Sequence, residues 1–245
     1  MDKITTIGLD LAKNVFHMVC TNRQGKVVRK RMLRRPQVLT YFANMPISLV
    51  GIEACASAHY WARELGALGH EVKLIPPQYV KPYVRGNKND YNDALAIAEA
   101  VVRPEMHLVA VKTTDQQDIQ ALHRLRERRL RDRTALCNQL RGLLAEYGLI
   151  FPKGVSTLRR CLPELMEDGE NGLSDLFRRL LARGYQQLQE LDVHIDGYTE
   201  ELERQSRQDD ACQRLQTAPG YGPIVASVFH SVVGLSLIHI SSPRD

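Results

Sequence analysis

The chain has no C-x-x-C pair: Cys20, Cys55, Cys137, Cys161 and Cys212 are odd in number and widely scattered. That excludes a disulfide scaffold, a dithiol redox motif and a zinc ribbon, and it fits a reducing cytosol. Long apolar runs are also missing. No stretch approaches the roughly 20 residues that span a bilayer. Met1-Asp2-Lys3 leads directly into a strand-like run, without the basic and apolar regions of a signal peptide. No membrane partner is expected, and the cytoplasm is the expected location. Internal repeats and low-complexity segments are absent as well.

What is present is a chain of 245 residues, 44% hydrophobic, which is enough for one large or two medium domains with real cores. A formal net charge of +5 points towards a polyanionic partner, but an excess of that size is common among other proteins, so its distribution has to decide.

The first half reads as strands alternating with helices, hence as an α/β domain. Ile4 to Cys20 is extended and interrupted at Gly8, Asp10 and Lys13-Asn14. Asn22-Arg23-Gln24-Gly25 is a turn, and Lys26 to Arg34 is a further strand. Ser48 to Cys55 reads as a buried strand, Ser57 to Leu68 as a helix ended by Gly69, and Glu71 to Ile75 as another strand stopped by Pro76-Pro77. Asp90 to Val102 reads as a helix with an acidic first turn. After Lys112 the strand signal stops. Asp115 to Tyr147 predicts a long helix, and Leu173 to about Gln205 a second one with a coiled-coil-like seam through Leu181, Leu188, Leu191, Ile195, Tyr198 and Leu202. Two such helices pair antiparallel or mediate a homo-oligomer. Gly148 to Gly172 between them, with Pro152, Gly154, Pro163 and Gly169, reads as an irregular connector.

Within this frame four acids stand out. Asp10 sits in Ile7-Gly8-Leu9-Asp10-Leu11-Ala12 and Glu53 ends Val50-Gly51-Ile52-Glu53. A lone charge amid such apolar residues is costly without a compensating cation. Asp90 and Asp93 are three apart, so both point from one helix face. Together the four could hold a pair of Mg²⁺ or Mn²⁺ ions, hard cations that take oxygen ligands and serve phosphodiester cleavage. Taken singly, each has an ordinary reading: Asp10 as an edge-strand turn, Glu53 as a solvated strand end, Asp90 and Asp93 as helix caps.

Here the sequence becomes specific. Gly8-Leu9-Asp10-Leu11-Ala12-Lys13-Asn14-Val15-Phe16-His17, Gly51-Ile52-Glu53-Ala54-Cys55 and Lys88-Asn89-Asp90-Tyr91-Asn92-Asp93-Ala94 resemble the DEDD-type insertion-sequence transposases of bacteria, the group related to the Piv invertase. The resemblance implies an RNase H-like (RuvC-like) catalytic domain at 1–112, a basic helical or coiled-coil region at 113–208, and the start of a helical transposase domain at 209–234. It also implies that Asp10, Glu53, Asp90 and Asp93 are the metal-binding catalytic tetrad. Members recombine DNA, and some are guided by a non-coding RNA, so both nucleic acids are implied partners. A sugar-kinase-like or actin-like ATPase also starts on a Gly-Asp strand and hairpin, but it needs glycine-rich phosphate loops, and none appears between Gly51 and Val111. A third reading is a non-catalytic nucleic-acid-binding or dimerising regulator built on the helices alone.

Basic residues cluster where nucleic acid would lie. Arg124, Arg126, Arg128, Arg129, Arg131, Arg133 and Arg141 face only Glu127 and Asp132 between 122 and 141. Such density favours phosphate contacts, the alternative being a solvated helix face. Lys81, Arg85 and Lys88 precede Asp90, with Tyr79, Tyr83 and Tyr91 near enough in sequence to stack on a base or sugar. Ala218-Pro219-Gly220-Tyr221-Gly222-Pro223 resembles a helix-hairpin-helix turn in which Gly220 and Gly222 let backbone amides approach a phosphate; a plain Gly/Pro loop is the alternative. His17, His59 and His123 read as structural or surface histidines.

The last eleven residues, Leu235 to Asp245, resemble a translated sequencing-library adapter. Ser236, Ser241 and Ser242 are therefore not taken as the nucleophilic serine of the family's C-terminal domain. The expectation is that this chain binds metal and nucleic acid without completing recombination.

Overall fold

The computed structural model describes residues 3–86 and 89–233. They form two compact units that divide between Thr113 and Thr114.

The first unit is mixed α/β. Strands β1 (Thr6–Leu11), β2 (Val15–Thr21) and β3 (Val27–Arg34) are followed by helix α1 (Val38–Ala43), strand β4 (Leu49–Glu53), helix α2 (Ala58–Ala67) and strand β5 (Glu71–Ile75). The short helix α3 (Pro77–Val80) and helix α4 (Asp90–Val101) complete it. The sheet order is β3-β2-β1-β4-β5. The first three strands meander antiparallel, because a three-residue turn joins β1 to β2; β4 and β5 run parallel to β1, and α2 makes the crossover between them.

Alternation along β1 decides what each face carries. Ile7 and Leu9 enter a core with Phe16, Met18, Phe42, Val50, Ile52, Trp61 and Leu65. Gly8 and Asp10 point the other way, towards α4, whose Ala96, Ile97, Ala100 and Val101 form a second buried cluster with Ile75 and Val80. Gly8 and Gly51 stand side by side in the β1–β4 register. A Cβ on Gly8 would lie 1.9 Å from the Ala94 carbonyl oxygen, and one on Gly51 would lie 2.9 Å from Val101 Cβ and 3.0 Å from Ile97 Cγ2. Two missing side chains thus form the trough in which α4 rests on the sheet.

The second unit is helical: α5 (Thr114–Ala145), α6 (Val155–Glu167), α7 (Asp175–Gln208), α8 (Asp210–Gln216) and α9 (Pro223–Val233). The two long helices pair antiparallel within the chain. Arg126 donates to Thr199, Arg133 pairs with Asp192, and Leu140 lies against Gly184, partners that descend along α7 as they ascend α5. The predicted seam is buried at Leu181, Leu188, Leu191, Ile195 and Leu202. On α5, Leu136, Leu140 and Leu144 are buried and Leu143 is exposed, and Tyr147 is exposed in the turn beyond its end.

One expectation fails here. The connector read at 148–172 is not irregular throughout, because α6 occupies most of it and carries Pro163 in its interior. Leu158 and Leu162 are fully buried, and Leu165 packs beside them, one face at helical spacing. That burial outweighs the backbone hydrogen bond a proline forfeits.

Asp192 joins three helices, since Arg133 of α5 and Arg159 of α6 both donate to its carboxylate. Its side chain is only 16% exposed. Asp192→Ala leaves two guanidinium groups without their acceptor and should destabilise the helical unit by roughly 1–3 kcal/mol. Urea denaturation followed by helical circular dichroism measures this; an unchanged midpoint would show that the three-helix junction contributes nothing.

Among the described residues, no helix is long and apolar enough to cross a membrane, and all five cysteines are free.

Candidate functional site

The four predicted acids come together at one end of the sheet. Asp10 lies two residues beyond Gly8 on β1, and Glu53 two residues beyond Gly51 on β4, so both acids share the face on which α4 rests. The same trough brings the first turn of α4 over them, because Ala94, whose carbonyl touches Gly8, immediately follows Asp93. Asn89 caps α4 by accepting the Tyr91 amide at 2.9 Å. The capping role is therefore filled by a neutral residue, and Asp90 and Asp93 keep their carboxylates for other partners.

The electrostatics record how close the groups are. Burial, then Asp93, Asp90 and Glu53, push the Asp10 carboxyl up from 3.8 to about 6, with His17 pulling weakly the other way. Burial and then Asp93 also raise Glu53. Desolvation of its thiol, then Glu53 and Asp10, raise Cys55 as well. A set of carboxylates that cannot all ionise comfortably is a set that favours a divalent cation among them.

Sequence reasoning missed His17. It faces Asp10 across the β1–β2 hairpin, its Nδ1 lies 3.3 Å from Asp90 Oδ2, and its ring meets Tyr91 edge-on at 4.9 Å. Ligand atoms of Asp10, His17 and Asp90 all fall within 4.8 Å of one another. The signal was present in the short turn at 12–14, which places position 17 opposite position 10 once the hairpin register is known. His59 accepts from the Lys112 amide, and His123 meets the Ser227 hydroxyl, so both serve local structure.

The predicted basic residues divide. Lys81 is exposed in a 3₁₀ turn, Arg85 is paired with Glu99 on α4, and Lys88 lies outside the described residues. On α5, Arg126 and Arg133 turn inward to α7. Arg128 and Arg129 share Asp132, and Arg131 pairs with Glu127, all at i,i+3 or i,i+4 on the surface. Arg124 is exposed. Gly220 adopts φ +87° in the turn between α8 and α9, where Tyr221 packs edge-on against Phe229; Gly222 has open space around its Cα. The adapter-like residues 235–245 lie outside the described residues.

Comparison with known proteins agrees with the family resemblance. A protein-family model of the DEDD IS110 type, described as Transposase, matches residues 7–149. The chain is 45% identical over 232 residues to a probable family 20 transposase of Pseudomonas aeruginosa, covering 94% of this chain and 69% of that one. It is 40% identical over 247 residues to the transposase for insertion sequence element IS1328 of Yersinia enterocolitica, covering 72% of that protein. A transposase for insertion sequence element IS1111A of Coxiella burnetii is 41% identical over 242 residues, with 66% of its length covered.

Proposed function

The chain belongs to the DEDD transposase family, and on that premise we propose that it supplies the metal-dependent phosphodiester-cleavage centre of an insertion-sequence DNA recombinase. The observation that carries this reading is the convergence of Asp10, Glu53, Asp90 and Asp93 beside the glycine trough, with the Asp10 carboxyl raised to about 6 by burial and then by its acidic neighbours. All-oxygen donors of this kind fit Mg²⁺ or Mn²⁺. When bound, such ions supply Lewis-acid stabilisation of the attacking and leaving oxygens of an in-line displacement.

The protein's own groups do the rest. Asp10 and Glu53, on rigid central strands, fix one half of the ligand set; Asp90 and Asp93 bring the other half on α4. His17 orients Asp90 through its Nδ1 contact. An antiparallel three-strand meander continued by two parallel strands supports an RNase H-like domain. The antiparallel α5–α7 pair supports the coiled-coil reading of the second unit.

DNA is the proposed substrate and a guide RNA a proposed partner. Lys81, Arg124, Arg128, Arg129 and Arg131 are the groups best placed for phosphates, since their heads stay at the surface and counterion release would reward the exchange of a carboxylate for a phosphate. The α8–turn–α9 hairpin supports a helix-hairpin-helix contact through the Gly220 and Gly222 amides. A homo-oligomer through the helical unit would cover the exposed Leu176, Leu180 and Val193 of α7.

The test is a Mn²⁺ titration of the 245-residue chain, following the paramagnetic resonance of the free ion. The expected result is loss of the free-ion signal up to about two equivalents. A free-ion signal that rises with every addition overturns the metal centre and leaves a nucleic-acid-binding or dimerising regulator.

A further inference from the structure

A second cluster of ligand-type side chains lies in the helical unit, among residues for which the DEDD chemistry has no use. Asp209 is the N-cap of α8, Cys212 lies in the first turn of that helix, and His230 is in the last turn of α9. Their ligand atoms lie within 4.8 Å of one another. His230 Nδ1 is 3.3 Å from Asp209 Oδ2 and 3.9 Å from Cys212 Sγ. We infer that Asp209, Cys212 and His230 form a transition-metal site of the zinc class that fastens α9 to α8.

Geometry favours a chelate over the alternatives. In a relay triad the imidazole uses opposite nitrogens for the thiol and the carboxylate. Here both contacts converge on the same Nδ1. Tetrahedral Zn²⁺, with Zn–N and Zn–O near 2.0–2.2 Å and Zn–S about 2.3 Å, places N and O ligands roughly 3.3 Å apart and N and S ligands roughly 3.6 Å apart. The observed separations of 3.3 and 3.9 Å need only a few tenths of an ångström of adjustment.

The surroundings are arranged to hold the donors. Asp209 Oδ1 accepts the Cys212 amide at 2.7 Å, which orients the carboxylate and leaves Oδ2 for the cluster. Cys212 is 2% exposed, and beside it the buried Ser206 hydroxyl accepts from Gln216. The side chains of His230 and Asp209 are 19% and 36% exposed, so an ion has a way in. The mixed sulfur, nitrogen and oxygen set suits Zn²⁺ or Co²⁺ and not the Mg²⁺ or Mn²⁺ of the carboxylate centre. Loading is balanced by one proton: the Cys212 S–H bond breaks as the sulfur–metal bond forms, the proton leaves to solvent, the His230 imidazole binds through Nδ1 with its proton on Nε2, and Asp209 binds as the carboxylate. Water fills the fourth position.

The test uses the full chain, stripped with a chelator and titrated with Co²⁺. The expected result is a thiolate-to-cobalt absorption that saturates at one equivalent and is displaced by Zn²⁺. It should persist in the Asp10→Asn/Asp93→Asn double variant, which separates it from the carboxylate centre. Cys212→Ser should abolish the band, and His230→Ala should weaken Co²⁺ binding by at least about a hundredfold, with helical content checked by circular dichroism. No thiolate band in the unmodified chain at stoichiometric Co²⁺ overturns the site regardless of how any variant folds. A band that survives Cys212→Ser assigns the metal to another cysteine and overturns it equally.

Discussion

Asp10→Asn is expected to weaken Mn²⁺ or Mg²⁺ binding by at least about a hundredfold while making the metal-free chain more stable at neutral pH. The opposed signs follow from one fact. Asp10 sits half-buried among Asp93, Asp90 and Glu53, which raises its carboxyl from 3.8 to about 6. Without a cation, ionised Asp10 is desolvated and then repelled by its acidic neighbours in the folded state, and removing its charge relieves both by on the order of 1 kcal/mol after allowance for solvent screening. With a cation, the same charge is a ligand. The pH dependence carries the same sign: the folded chain keeps the Asp10 proton up to about 6, and the unfolded chain releases it near 3.8. The stabilisation is therefore complete below about 4 and lost as the pH rises towards 6 and beyond. Thermal melts of both proteins from pH 4 to 8, with chelator and with Mn²⁺, test it. Asp93→Asn should weaken metal binding in the same direction. Unchanged affinity in both variants, or a metal-free Asp10→Asn chain that melts lower than the parent at pH 7.5, removes the tetrad assignment.

The second large effect comes from a residue with no functional group. Gly8→Ala should cost at least about 3 kcal/mol, because its Cβ would meet a backbone oxygen, Ala94 O, at 1.9 Å, and Ala98 N at 2.6 Å. Backbone cannot step aside as a side-chain end can, so α4 must lift from the sheet. Metal affinity should fall together with stability although every carboxylate is retained. Gly184→Ala is the control: its nearest obstacle is the flexible Leu140 Cδ2 at 2.7 Å, so its cost should be smaller. Equilibrium unfolding of the two variants decides; a Gly8→Ala chain as stable as Gly184→Ala would mean that α4 does not depend on the trough.

The sequence revealed most about what repeats at short range. The strands with their acidic ends, and the long helices with their leucine spacing, were readable from alternation and periodicity. The family resemblance supplied the grouping of Asp10, Glu53, Asp90 and Asp93, which spacing alone left open. The inward turn of Arg126 and Arg133 was hidden, because their partners Thr199 and Asp192 lie 73 and 59 residues away. The helix through Pro163 was hidden because proline and glycine count locally as breakers, whereas the burial of Leu158 and Leu162 depends on α5 and α7. Gly8 looked like an interruption and Gly51 like an ordinary strand position; only the β1–β4 register shows them as one trough.

The trough also bears on motion. Asp10 and Glu53 belong to the central strands, but Asp90 and Asp93 travel with a twelve-residue helix seated on two glycines. Any opening that unseats α4 splits the proposed ligand set in half, leaving two acids on the sheet and carrying two away. On the proposed metal centre, ion binding and helix seating become one equilibrium. Amide hydrogen exchange along α4 should slow in proportion to metal occupancy, and DNA would meet an organised centre only when the helix is down.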